Sequence, residues 1–284
     1  MSHCLLGLTE WRLAEAGPDA VRRTAESGAD GLQLDFGGPG RGEWLDAPGR
    51  VQAVRAAAGA SGVRLFAVAG NHLNDLGLTT AEARPFIERL LDSAHALEVP
   101  LVFLPSFRRS AIDGPAAFAL TAQVLAWAAA EAEARGLQLA SENVLAPHFA
   151  CELAERVDSP VFRLVLDTFN PLRAGLRPEA LVAEAGHLLA DQVHLKDGPP
   201  DVGDMPALGE GAGRLEDTLE ALREHAVPVR ALVLENDYRD GDPRRLAADL
   251  AWARRRARGF TPPVAAGHPR VRGGSSGPRP VPPM

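Results

Sequence analysis

The sequence predicts an α/β protein, a single-domain (β/α)8 barrel. Eight short apolar runs with β-branched character recur along the 284 residues. Helical patterns lie between them, and strands that alternate with helices imply parallel pairing through crossover connections. Eight such units in about 255 residues match the size of a closed barrel. An open doubly wound sheet is the alternative, but it announces itself with a Gly-rich first turn. "GLTEW", after the first run, is no phosphate-binding loop.

The elements follow in order. "CLLGLTE" (4–10) leads to "PDAVRRTAESGA", which begins with Pro after Gly and repeats its apolar positions at helical spacing. "DGLQLDF" (30–36) is followed by "GGPGRG", which lacks fingerprint spacing and reads as a flexible loop. "VRLFAVA" (63–69) precedes "TTAEARPFIERLLDSAHALE", with a Thr cap and a glutamate soon after. "PLVFLPS" (100–106) precedes the Ala-rich "PAAFALTAQVLAWAAAEAEARG", closed by Gly. "LQLASEN" (137–143) and "FRLVLDT" (162–168) come next. "RPEALVAEAGHLLA" leads to "DQVHLKD" (191–197) and "RLEDTLEALREHA" to "VRALVLEND" (229–237). "DPRRLAADLAWARRRARG" ends the barrel domain, residues 1–259. Residues 260–284 are rich in Pro, Gly, Ser and Arg with almost nothing to bury, and read as a disordered tail. A basic tether for a partner is the functional alternative.

The formal net charge is −7. The tail carries Arg270, Arg272 and Arg279 and no acid, so the barrel itself stands at −10. An acidic body argues against nucleic acid as a partner, because a phosphate backbone needs a basic face. Two cysteines, Cys4 and Cys151, make no disulfide framework, and the start lacks a signal-peptide pattern. A reducing, cytoplasmic compartment is expected. No stretch reaches the roughly 18 apolar residues of a membrane span. The oligomeric state is left open, a homo-oligomer included.

In such a barrel the reacting groups sit at the C-terminal ends of the strands. Strand five ends in Glu142, strand six in Asp167, strand seven in His194 and Lys196, strand eight in Glu235. A lone acid at a strand end is more often a helix cap or a solvated loop residue. Four consecutive strands ending this way, each after an apolar run, would cluster Glu142, Asp167 and Glu235 out of water. Three such carboxylates would repel and raise each other's pKa values. A divalent cation removes that problem. Two Glu, one Asp and one His suit Mn²⁺ or Mg²⁺ first, with Co²⁺ and Zn²⁺ also compatible.

"LASEN", "VLDTFN", "VHLKDG", "ALGEGAG" and "LVLEND", in that order and spacing, resemble the sugar phosphate isomerase/epimerase superfamily, the xylose isomerase-like TIM barrels, over residues 4–258. The resemblance implies that Glu142, Asp167, His194 and Glu235 hold one divalent metal. It implies that Glu142 and Glu235 are the catalytic pair, one taking a proton from the carbon beside a carbonyl and the other returning it through a metal-stabilised enediolate. The physics agrees, since such a carbon acid needs Lewis-acid help to ionise at neutral pH. The expected function is a metal-dependent isomerase or epimerase of a ketose, keto-polyol or related small polyhydroxy carbonyl compound.

Other positions are candidate substrate contacts. Lys196 would share a face with His194 and bind an anionic group or a developing oxyanion, or else pair with Asp197 or Glu235. His72, in "AGNHLND", points to the same rim as a substrate contact or a turn residue. His148 lies six residues beyond Glu142, and Asn170 three beyond Asp167. Trp11 and Phe36 are candidate walls. Glu210, in "LGEGAG", would help close the site. Gln33 sits where many relatives carry a strand-two glutamate, which removes an acidic role there. Asp197 reads as a cap for the next turn.

The apurinic endonucleases share the superfamily but need histidines after strand four, three beyond the strand-six aspartate, and in an Asp-x-His after strand seven. Here those places hold "LPSFRRS", Asn170 and "PPDVGDMPALGEG". A dehydratase of a cyclic keto-polyol shares the ligand set and the proton abstraction, and stays open. A barrel that binds a sugar without turnover would lack a base, whereas both glutamates are present.

Overall fold

The computed structural model describes residues 4–260 apart from 201, 202 and 204. Eight parallel strands close a barrel in chain order. They are β1 (Leu5–Thr9), β2 (Gly31–Asp35), β3 (Arg64–Ala69), β4 (Leu101–Pro105), β5 (Gln138–Glu142), β6 (Phe162–Asp167), β7 (Leu189–Leu195) and β8 (Ala231–Leu234). β8 pairs back onto β1, with Leu5 opposite Ala231 and Leu8 opposite Leu234, so no sheet edge is left open.

Among the described residues, ten α-helices surround the strands or lie on their connections: α1 (Pro18–Ser27), α2 (Arg50–Ser61), α3 (Leu73–Leu76), α4 (Ala83–Ala96), α5 (Pro115–Ala134), α6 (Pro147–Val157), α7 (Asn170–Arg173), α8 (Pro178–Ala185), α9 (Leu215–Glu224) and α10 (Pro243–Ala257). Six of them carry Pro in the first turn, where its missing N–H costs nothing.

Three sequence expectations shift. α4 begins at Ala83, and no side chain caps it, so the Thr cap is not used. The pattern 177–190 is α-helical only to Ala185: Gly186–Leu188 form a 3-10 turn, and Leu189 and Ala190 open β7, where Leu189 pairs with Leu164. α2 and α6, with the one-turn α3 and α7, lie outside the helical patterns. α2 buries only Val54, so its Ala-rich surface has almost no apolar stripe to read.

Side chains that alternate along the strands divide into two cores. Leu8, Leu32, Leu34, Val68, Val102 and Leu232 face the helices. The barrel interior is filled from its lower end by Leu5, Phe66, Ala231 and Val233, and above them by Ala67, Phe103, Ala140, Val165 and Ala190. Phe66 explains two glycines. A Cβ on Gly7 or Gly31 would stand 2.7 Å or 2.4 Å from its ring, an overlap of the kind that costs ~1–3 kcal/mol. The alanines leave the upper end open, and there the interior turns polar. Phe260, grouped with the tail in the sequence, is buried and stacks on Arg223 at 5.6 Å. The remaining tail, 261–284, lies outside the described residues.

Candidate metal centre and active site

Glu142, Asp167, His194 and Glu235 take their places by strand parity. Each lies two or four residues beyond an inward-facing interior residue: Ala140, Val165, Ala190 and Val233. All four are buried, and one ligand atom from each lies within 4.8 Å of every other. His194 Nδ1 is 3.2 Å from Glu235 Oε2 and 3.8 Å from Glu142 Oε1. Asp167 Oδ2, His194 Nδ1 and Glu235 Oε2 are buried with no hydrogen-bond partner. Native proteins rarely leave such atoms orphaned. Three of them converging from separate strands is the donor set of a cation site, so the residues present fit a divalent ion.

The titration of the cluster reflects the same crowding of like charges. Burial pushes Asp167 up to about 7, against the pull of Lys196 and with the repulsion of Glu235 and Glu142. Burial also acts against a charged His194, but the carboxylates of Glu142 and Glu235 outweigh it and push the imidazole up to about 10. For Glu235 burial is overcome by Lys196, His194 and Arg12, which hold it well below the usual carboxylate range. A divalent ion held there would compete with these protons, so its binding would depend on pH.

The histidine's other nitrogen is fixed by a chain of amides across the barrel. Gln192 Nε2 donates to the Phe66 carbonyl at 2.9 Å. A carbonyl only accepts, so Gln192 turns its Oε1 to Gln33, whose Nε2 donates to it at 2.9 Å. Gln33 Oε1 therefore faces His194 Nε2, 2.8 Å away, and that nitrogen must carry the proton. The lone pair of a neutral imidazole is left on Nδ1, toward the three carboxylates. Gln33 has no acidic role, as expected, but it sets the tautomer. Sequence reasoning missed Gln192, although it shares the His194 face of β7 two residues earlier.

Several candidates meet the cluster. Trp11 Nε1 donates to Glu235 Oε1 at 3.0 Å, and the Trp11 and His194 rings lie 6.2 Å apart. Lys196 Nζ is 3.7 Å from Glu235 Oε1 and donates to Asn170 Oδ1 at 3.2 Å. Asn170 Nδ2 donates to Glu142 Oε1 at 3.1 Å, and Asp167 Oδ1 accepts from the Asn170 backbone. Arg12, absent from the sequence candidates, sits 3.5 Å from Glu235 Oε1 with its Nε buried and unpartnered.

Other candidates lie elsewhere. Phe36 is a core residue, fully buried and edge-on to Phe86 at 5.2 Å. His148 is exposed at the start of α6 against Phe149, 4.1 Å between ring centres, and is not one of the four clustered residues. Glu210 is exposed on its loop. His72 is half-buried edge-on to Trp44 at 5.6 Å, its Nδ1 unpartnered. Asp197 does more than cap a turn. It is fully buried and accepts the backbone N–H groups of Gly198, Gly209, Gly211 and Gly213, which folds the Gly-rich loop onto β7.

A closed barrel with a buried acid–histidine cluster on the upper ends of β5 to β8 is the architecture of a barrel enzyme. Residues 21–256 match the model of the xylose isomerase-like TIM barrel family, and the chain belongs to that family, within the sugar phosphate isomerase/epimerase superfamily. It is 59% identical over 256 residues, 89% of this chain and 95% of the relative, to 2-epi-5-epi-valiolone 7-phosphate 2-epimerase of Actinoplanes sp.. The chain is therefore an enzyme of the sugar isomerase/epimerase kind. A xylose isomerase domain protein from Planctomyces limnophilus superposes with a TM-score of 0.73 at 17% identity, covering 90% of this chain and 97% of that one. D-psicose 3-epimerase from Clostridium cellulolyticum H10 does so at 0.68 and 18%, covering 89% and 99%. Both share the fold. No helix among the described residues is long and apolar enough to cross a membrane.

Proposed function

We propose that the chain is a divalent-metal-dependent epimerase of a phosphorylated cyclic polyhydroxy ketone, acting on the carbon beside the carbonyl. The observation that carries the chemistry is the set of orphaned ligand atoms on Asp167, His194 and Glu235, closed by Glu142. The identity to the Actinoplanes epimerase supports the substrate class. Glu142, Asp167, His194 and Glu235 would hold the ion, with Mn²⁺ or Mg²⁺ suited best to an oxygen-rich set. When bound, it would polarise the substrate carbonyl and acidify the neighbouring C–H.

The chain's own residues supply the rest. Glu142 ends β5 and Glu235 directly follows β8, on either side of Asp167 and His194 in strand order. One takes the proton from the substrate carbon, and the other delivers a proton to the opposite face, which inverts that centre. The first ends protonated and the second ionised, and exchange with solvent resets them. Lys196 and Arg12 place two positive charges beside Glu235, where they oppose negative charge developing on the substrate oxygen. Trp11 and Asn170 keep the two glutamates oriented through their hydrogen bonds.

The test is turnover of 2-epi-5-epi-valiolone 7-phosphate by the metal-loaded protein in D₂O. The expected product is the C2 epimer, unchanged in mass except for one deuterium. Glu142→Gln and Glu235→Gln should each abolish the exchange. A product lighter by one water would mean a dehydratase. A folded, metal-loaded protein that exchanges no proton would overturn the reading.

A further inference from the structure

A cavity of about 770 Å³ opens over the loops that follow β6 and β7. Ligand sites of small molecules span roughly 300–1,000 Å³, so it is large enough for a cyclitol with a substituent. Its lining includes Phe169, Leu172, Arg173, Lys196 and Pro199, and no acid among the described residues. Lys196 joins this cavity to the metal centre. The residue is 9% exposed, and its Nζ reaches both Asn170 Oδ1 at 3.2 Å and Glu235 Oε1 at 3.7 Å.

Arg173 differs from its neighbours. Arg177 is paired with Glu179 at 3.0 Å, and Lys196 is held by Asn170. Among the described residues, the Arg173 guanidinium has neither ion pair nor hydrogen bond, and it lines the cavity from the last position of α7. A planar guanidinium that faces a cavity is suited to a phosphate, which it can grip with two parallel hydrogen bonds. α7 starts at Asn170, which also contacts Glu142 and Lys196, so one short turn ties the guanidinium to the cluster.

We propose that Arg173 binds the phosphate of the substrate at the outer end of this cavity, with Lys196 between phosphate and reacting carbon, so that the enzyme selects a phosphomonoester on the far side of the ring from the carbon it inverts. This rests on the epimerase reading above. Phe169 and Leu172 supply the apolar wall against which the ring lies. Arg173 is a binding and specificity residue. It takes no part in the proton transfers.

The test compares the full-length, metal-loaded protein with Arg173→Ala, Arg173→Lys and Arg177→Ala. Each is assayed on the phosphorylated ketone and on its unphosphorylated parent, with inorganic phosphate as a competing probe. Loss of a charge-assisted pair of hydrogen bonds should raise KM for the phosphorylated ketone roughly 10-fold or more in Arg173→Ala. The preference for phosphorylated over unphosphorylated substrate should fall by the same factor, and inhibition by inorganic phosphate should weaken alongside. Arg173→Lys should recover part of it. Arg177→Ala removes the same charge nearby and should keep the wild-type preference. Equal loss on both substrates, or phosphate inhibition indifferent to Arg173, would overturn the subsite while leaving the epimerase intact. If neither ketone is turned over but phosphate binding by calorimetry still depends on Arg173, the anion site stands and the epimerase reading fails.

Discussion

His194 shows how much of a site can be read from single residues and where that reading stops. Its place in the cluster was legible, because strand parity and the acids ending the neighbouring strands are sequence properties. Its tautomer was not. The amide that fixes it comes from Gln33, 161 positions away on β2, and is itself oriented by Gln192 and the Phe66 carbonyl. Contacts across a barrel depend on which interior side chains share a layer, and no local pattern encodes that. Gln33→Leu would leave His194 Nε2–H and Gln192 Oε1 without partners and free the imidazole to turn. Metal affinity, measured by chelator competition, should fall roughly 10–100-fold while the far-UV spectrum stays native. Gln33→Glu still accepts from Nε2–H and should retain more affinity than leucine. Wild-type affinity in both variants would show that the amide chain does not govern the ligand.

Among elements, the strands were the more legible. Each apolar run overlaps a strand because both faces of a parallel barrel strand are buried. Helix limits slipped where the helix met the next strand, as at Gly186, since Leu and Ala suit both. Least legible was the segment after β7, where the sequence points to Glu210 as the residue that closes the site and to Asp197 only as a cap. Asp197 instead gathers it: Oδ1 accepts from Gly198 at 2.9 Å and Gly213 at 2.8 Å, and Oδ2 from Gly209 at 2.8 Å and Gly211 at 3.0 Å. Gly211 and Gly213 are required there, since a Cβ would lie 2.3 Å and 2.6 Å from Asp197 Oδ1. Asp197→Ala should cost ~3 kcal/mol in a urea titration, because four backbone N–H groups, those of Gly198 and Gly213 buried, lose their acceptor. Asp197→Asn should recover little, since its NH₂ would face two of the donors. An unchanged denaturation midpoint in the alanine variant would mean that the glycine loop holds itself.

At the scale of the whole barrel, the four cluster residues sit on or directly after β5, β6, β7 and β8 in succession, half of the closed sheet. Pulling any one strand away would dismantle the site, so a bound ion stabilises the barrel as one cooperative unit rather than a local loop. Without the ion, Lys196 and Arg12 offset part of the mutual repulsion of Glu142, Asp167 and Glu235, so the chelated protein should still fold. With free ion at a hundred times its dissociation constant, linkage adds about 2.7 kcal/mol. For a barrel of this size that corresponds to a rise in melting temperature of roughly 5–10 °C. Calorimetric scans with EDTA and with excess Mn²⁺ or Mg²⁺ measure it directly. Asp167→Asn, which neutralises one ligand and relieves part of the repulsion, should melt higher than wild type in EDTA and gain less from the ion. Overlapping scans of the wild type with and without ion would show that the native cluster binds no metal. The orphaned oxygens and imidazole nitrogen would then be a cost the fold carries for protons alone.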